Sequence, residues 1–284
     1  MPNEVRPDPI DDLPALEAGE WADEKHGLLR EYVSLSSGAR GMWFKESNDA
    51  TYIELFSGPG RIFYKGTDRF ADGSPLVAFK ESAKGNNPFS HMHLGDASRE
   101  FCDALGQRLK KIGPTVRPYP QSAEVSIIEI CKNLSPYGLH FAFLDPYNIE
   151  SLPFSIIEQL SRFRHMDVLI HVSAMDLQRN LPRWTKSEHC PLDEFAPKWR
   201  QAVGDSNPSD IVARGLLLEH WLSLIENAGF QDAEVKHLVR GETNQPLYWL
   251  VLIAKHKLAL KFWKAITSAK DPNYDMFRDN SGGN

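Results

Sequence analysis

Four short apolar runs, the first three each followed by a stretch with helical spacing, constrain this chain more than any other feature. Residues 51–56, 89–94, 139–144 and 167–172 have the length of buried strands, and 139–144 is the clearest of them. Three end at chain breakers: Ser57-Gly58-Pro59-Gly60, Gly95-Asp96 and Asp145-Pro146-Tyr147. Helical patterns fill the intervals. Ser74-Pro75 reads as an N-cap with proline as the first helical residue, and Leu76, Val77 and Phe79 follow. Cys102, Leu105, Leu109 and Ile112 fall at i, i+3, i+7 and i+10. Val125, Ile128 and Cys131 mark another helix, and residues 153–164 a further one. Strands alternating with helices predict an α/β fold: a mostly parallel sheet with helices on both faces. Residues 233–238 and 247–254 are successive strands, so an antiparallel edge is expected. In such sheets ligands bind beyond the carboxyl ends of the strands.

Composition enters where it limits this reading. Hydrophobic residues are 42% and charged residues 25%, as in globular domains. No stretch approaches the ~18–20 apolar residues of a membrane span, and no apolar segment follows Met1. A cytoplasmic location without membrane contact is expected. Cys102, Cys131 and Cys190 lie far apart, odd in number and without zinc-ligand spacing. They read as reduced thiols, and no metal is expected. The formal net charge is −6. Residues 1–25 hold eight acids and two bases, so the rest of the chain is balanced. Overall acidity therefore leaves room for a local basic face and a nucleic-acid partner. Residues 1–16, acidic and rich in proline, read as a flexible leader. Residues 17–270 read as one domain, with an insertion or lid at about 176–208, and 271–284 as a loose tail.

Two strand ends carry chemistry. At the first, Glu54, Phe56, Gly58 and Gly60 are spaced acid-x-Phe-x-Gly-x-Gly. Glycines let the backbone turn sharply and approach a ligand closely. An acid there can take a hydroxyl or an ammonium; the same residues also fit an ordinary strand-to-loop turn. The pattern is neither the dinucleotide Gly-x-Gly-x-x-Gly nor a phosphate loop with Gly-Lys-Ser/Thr. The second is Asp145-Pro146-Tyr147, which fits either a turn or a site. No Gly-x-Ser-x-Gly elbow is present, which disfavours a hydrolase.

The first of these arrangements resembles motif one of class I S-adenosylmethionine-dependent methyltransferases, in the Asp-Leu-Phe-x-Gly form of nucleic-acid enzymes. The resemblance implies a Rossmann-like sheet with S-adenosyl-L-methionine as cofactor. It implies Glu54 near the methionine ammonium, with Phe56, Ser57, Gly58, Pro59 and Gly60 along the cofactor. An acid one strand later would hold the ribose hydroxyls, and Asp96 is the candidate; it equally fits a helix N-cap. Gln121 and Ser122 would lie near the adenine. Asp145-Pro146-Tyr147 resembles the Asp/Asn/Ser-Pro-Pro-Tyr/Phe motif of amino-methylating enzymes, with one proline instead of two. In that chemistry a carboxylate and a prolyl carbonyl accept the two N–H bonds of a base amine and localise its lone pair. An aromatic ring stacks on the extruded base.

A narrower resemblance covers residues 18–268. The helix from Trp21 to Tyr32, the run from Tyr52 to Arg61, Gly73-Ser74-Pro75-Leu76, Phe143 to Tyr147 and Tyr248 to His256 are similar to the three-Cys-motif partner proteins of bacteria and archaea. That family is named for a neighbouring protein that carries the cysteines. The resemblance implies a methyltransferase-like fold and a three-Cys-motif protein as partner. The expected function is methyl transfer to a nucleic-acid base amine. The alternative is a non-catalytic methyltransferase-fold subunit that works with the three-Cys partner.

Other residues leave their readings open. Lys257, Lys261 and Lys264 share a helix face, for phosphate or for solvent. Arg179, Arg183, Lys186, Lys198 and Arg200 interleave with Trp184, Phe195 and Trp199, as in a stacking surface or a lid pinned by its aromatics. His91 and His93 share a strand face without an evident third metal ligand. The role of His171 is open.

Overall fold

The structure is a computed structural model that describes residues 4–45, 49–204, 211–231, 236–241 and 245–270. The amino-terminal part runs β1 (Val5–Pro7), β2 (Pro14–Ala18), α1 (Ala22–Leu35), α2 (Ser37–Lys45), β3 (Ala50–Glu54), β4 (Arg61–Tyr64), β5 (Phe70–Asp72) and α3 (Ser74–Lys84). The middle runs β6 (His91–Gly95), α4 (Arg99–Lys110), β7 (Thr115–Tyr119), α5 (Ala123–Asn133), β8 (Leu139–Leu144), α6 (Phe154–Ser161) and β9 (Met166–Ser173). The chain continues through α7 (Ala174–Trp184), α8 (Leu192–Phe195), α9 (Trp199–Val203), α10 (Ile211–Asn227), β10 (Lys236–Arg240), β11 (Pro246–Ala254) and α11 (Lys257–Lys270).

Seven strands form the main sheet in the order β10-β11-β9-β8-β3-β6-β7. From β9 to β7 all neighbours are parallel. β11 runs antiparallel to β9 and to β10. The closing antiparallel pair thus lies at the sheet edge as expected, with β10 outermost. This is the Rossmann-like, methyltransferase-type α/β sheet that the resemblance implies.

Strand alternation sends successive side chains to opposite faces. On one face Ile53, Ala142, Leu144, Val168, Ile170 and Val251 pack with α5, α6, α7 and α10. On the other, Tyr52, Phe141, Phe143, Leu169 and Leu250 pack with α1, α3, α4 and α11. No helix among the described residues is long and apolar enough to cross a membrane.

The acidic segment expected to be a flexible leader is structured from Glu4 onward. β1 and β2 join β4 and β5 in a second, four-stranded sheet. Two of its acids are held by arginines from the body of the domain. Asp8, fully buried, pairs with Arg61 at 2.6 Å. Asp11 takes Arg108 Nη2 at 2.8 Å. Arg108 Nη1 also donates to the Pro14 and Pro59 carbonyls, at 2.7 and 2.6 Å. Charge content suggested solvent, but long-range partners decided otherwise.

The expected insertion, in its described part to residue 204, is a layer of the core rather than a lid. Trp184, Leu192, Phe195, Trp199 and Val203 are buried in it. Phe195 stacks on Trp221 of α10, with centroids 5.2 Å apart. These rings are therefore closed to an unpaired base. The tail at 271–284 and the expected strand's residues 233–235 lie outside the described residues. Lys257, Lys261 and Lys264 are exposed on α11. His93 is buried, its Nδ1 2.8 Å from the Tyr119 hydroxyl.

Candidate functional site

A cleft of about 460 Å³ opens at the carboxyl ends of β3, β6, β8 and β9. A pocket of this volume holds a drug-sized ligand. Phe56, Ser57, Gly58, Pro59, Gly60, Asp96, Asp145, Pro146 and Tyr147 all line it. The segment from β2 into α1 walls it, through Leu16, Trp21 and Lys25 among others.

The glycine loop is built for close approach. Gly58 and Gly60 have φ of 55° and 85°, the left-handed region that favours glycine. A Cβ on Gly58 would meet nothing within 4 Å, so the space before it is open. A Cβ on Gly60 would sit 2.6 Å from Leu105 Cδ1, so that glycine serves packing. Asp96 holds the loop: its Oδ2 accepts the Gly58 N–H at 2.9 Å, and its Oδ1 the Ser98 N–H at 2.8 Å. Burial raises its pKa against both bonds. The N-cap of α4 is Ser98, whose hydroxyl accepts from Phe101 N–H, so the capping alternative for Asp96 does not hold. Loop, acid and open space together fit a ligand with hydroxyls and a long backbone contact, as S-adenosylmethionine has.

Glu54 lies behind this wall. It is fully buried and does not line the cleft. Ser74 and Tyr52 donate their hydroxyls to its two oxygens, Tyr52 at 2.7 Å. Burial pushes its pKa up to about 8, so it is largely protonated at neutral pH. Ser74 faces the cleft in its place. Ser74 was expected as the N-cap of α3; Gly73 takes that position and Ser74 is the first helical residue. Gln121 and Ser122 do not line the cleft. Gln121 Nε2 donates to Glu129 at 3.0 Å, and Ser122 is exposed at the start of α5.

The end of the cleft at β8 and β9 holds three groups in contact. Lys25 Nζ forms an ion pair with Asp145 Oδ2, and His171 Nδ1 stands 3.7 Å from Asp145 Oδ1. Burial works to raise the Asp145 pKa, but the Lys25 ammonium outweighs it and the carboxylate stays ionised. Burial holds His26 and His171 down to about 4, so both are neutral. Tyr147 is 68% exposed, at the cleft rim.

Lys25 is the residue that sequence reasoning missed. Its signal was present: it lies four residues after Trp21 and three before Leu28, on the face read as apolar. A lysine there is buried against a partner.

No protein-family model and no curated protein matches the chain by sequence. By structure it is similar to protein LPL1258 from Legionella pneumophila str. Philadelphia 1, of the DUF519 family. That match has 12% identity and a TM-score of 0.50, over 88% of this chain and 94% of the other. It bears on the fold alone. A further likeness is to PH1948 from Pyrococcus horikoshii, assigned as an RNA methyltransferase, at 8% identity and a TM-score of 0.36 over 80% and 81% of the two chains. Another is to a protein from Rhodobacter sphaeroides assigned as a zinc-dependent alcohol dehydrogenase, at 12% identity and a TM-score of 0.33 over 74% and 84%. At those scores neither bears on the chemistry of this chain. The three-Cys-motif partner resemblance rests on residues alone.

Proposed function

We propose that the chain is an S-adenosylmethionine-dependent methyltransferase acting on a base amine of a nucleic acid. The observation that carries this reading is that two strand ends far apart in sequence, 56–60 and 145–147, line one cleft. S-adenosylmethionine, when bound, supplies a sulfonium methyl group. Gly58 brings the backbone close to the cofactor, and Asp96 accepts its ribose hydroxyls. Ser74 presents a hydroxyl to it, oriented from behind by Glu54. Asp145, Pro146 and Tyr147 orient the acceptor, the exposed ring offering a face to a base. Catalysis of this kind draws on position and on fixed charges in a partly dry site.

Calorimetry with S-adenosylmethionine tests the reading on the native chain, Gly58→Val and Asp145→Ala. The native chain and Asp145→Ala should bind. Gly58→Val should lose tenfold or more, since its side chain enters the open space and strains a positive φ. Melting by circular dichroism shows whether each variant is folded. No binding by the native chain at millimolar ligand would sink the enzyme reading.

One observation favours a second reading. Lys25 already occupies one oxygen of the Asp145 carboxylate. A non-catalytic subunit that serves a three-Cys-motif partner would have that arrangement. Co-purification with such a protein, unchanged by Asp145→Ala, would support it.

A further inference from the structure

A second pocket, of about 500 Å³, lies beside the cleft. Tyr147 lines the cleft and its chain neighbour Asn148 lines the pocket. Consecutive Cα atoms are about 3.8 Å apart, so the two spaces share a wall. Helix α7, which follows β9 directly, forms another wall of the pocket. Asp176, Asn180 and Arg183 lie on it at i, i+4 and i+7, one helix face. Both walls leave the carboxyl ends of β8 and β9, the end of the sheet that carries the cleft.

Hydrogen bonds order this lining and leave particular groups over. Asp176 Oδ2 accepts the Ile149 N–H at 3.0 Å, which ties the loop after β8 to α7. Its Oδ1 accepts from Asn180 Nδ2 at 2.6 Å. Asn180 Oδ1 in turn accepts from Arg183 Nη2 at 3.3 Å. Asn148 Oδ1 accepts the Ser151 N–H and hydroxyl, at 3.0 and 2.7 Å. Asp176 and both amide oxygens are thereby used. The Asn148 Nδ2 hydrogens and those on Arg183 Nε and Nη1 have no partner among the described residues, and Arg183 makes no ion pair there. Glu150 and His189, both exposed, complete the polar set.

The pocket therefore presents donors with an acceptor among them. A bare phosphate offers acceptors only and would meet the Glu150 carboxylate. A nucleobase edge offers donors and acceptors together, and the phosphate that comes with it suits a guanidinium. Enzymes that take a base out of its strand also read the nucleotides flanking it. We propose that this pocket takes the nucleotide next to the one whose base enters the cleft, with Asn148 and Glu150 on its base edge and Arg183 on its phosphate. The substrate is then a strand read at adjacent positions, not a free nucleoside. The inference rests on the methyltransferase reading for the ligand's identity.

The test is competition against a labelled random-sequence tetranucleotide, followed by fluorescence anisotropy with S-adenosylhomocysteine present. The competitors are mixed-base nucleoside monophosphates, nucleoside bisphosphates and dinucleotides. A dinucleotide should compete about tenfold or more better than a bisphosphate, which carries the extra phosphate without the second base. Arg183→Ala changes an exposed residue outside the cleft. It should lower dinucleotide competition about tenfold and leave monophosphate competition and S-adenosylhomocysteine affinity unchanged. Lys261→Ala, which removes a cation on α11, should leave all of them unchanged. Equal competition by bisphosphate and dinucleotide, a dinucleotide advantage that survives Arg183→Ala, equal loss in both variants, or no tetranucleotide bound by the native chain would overturn the inference. The expected pattern with no S-adenosylhomocysteine held in calorimetry would keep it and overturn the methyltransferase reading instead.

Discussion

At the scale of single residues, burial decides which groups are charged. Glu54 and Asp167 sit in the interior, under Tyr52 and Tyr32 hydroxyls, and burial lifts them to about 8 and about 7. His26, His93 and His171 are pushed down to about 4 by the same cause. The two sets act oppositely on stability. Between about pH 4 and 6.5 the unfolded chain binds protons at the histidines that the folded chain refuses, so they make stability rise with pH. Over the same range and up to about 8 the folded chain keeps carboxyl protons that the unfolded chain has lost, so the acids make it fall. Above 6.5 only the acids remain. Stability should therefore decline from pH 6.5 to 8.0, and Glu54→Gln should flatten that decline. Urea midpoints at the two pH values measure both; equal midpoints for the native chain, or an undiminished decline in the variant, would refute the assignment. The carboxyl at Glu54 was expected along the cofactor from its place at the strand end, but it does not line the cleft. Its burial behind Ser74 was not legible, because that depends on where α3 packs.

At the scale of elements, the amino-terminal segment is tied to the glycine loop by Arg108. One guanidinium on α4 reaches Asp11, the Pro14 carbonyl and the Pro59 carbonyl, and Asp8 lies 4.0 Å from it. It joins the β1–β2 arm to the glycine loop at a position 5% exposed. Removing one partner of a buried ionic group typically costs about 3–5 kcal/mol, because the other charges stay behind. Arg108→Met should therefore lower unfolding free energy by about that amount. It should also weaken S-adenosylmethionine binding, since the loop loses its anchor. Urea titration with calorimetry checks both; a loss under about 1 kcal/mol would mean water replaces the clamp. The elements themselves were largely readable from spacing: β3, β6, β8, β9 and their helices follow the apolar runs. The arm was not, because Asp8 and Asp11 look solvated until their arginines, at 61 and 108, are brought to them.

At the scale of the whole molecule, one sheet carries two cores. Leu169 and Ile170 are adjacent on β9, both fully buried, and point into opposite clusters. Because the clusters share the same strands, neither face can be lost alone. Leu169→Ala and Ile170→Ala should each cost about 2–5 kcal/mol and leave a single unfolding transition. Tryptophan fluorescence and far-ultraviolet circular dichroism should coincide in both variants. Separate transitions in either one would show the two layers to be independent. The aromatics of residues 184–199 belong to this scale too: their spacing with bases suggested a stacking surface, but α10 covers Phe195 and the layer closes on itself.

What the sequence determined by itself is what local rules govern. Apolar runs and breakers set the strands, the helices between them and the two strand ends where a ligand would lie. Glycine at 58 and 60 follows from backbone freedom, which no neighbour has to supply. Only the tertiary structure decided which side chains share a charge or a proton. Lys25 meets Asp145 across 120 residues, Arg108 meets Asp11 across 97, and Glu54 turns to Ser74 instead of the cleft. Such pairings depend on distance and dielectric in the folded interior, and neither quantity is written in the spacing of residues along the chain.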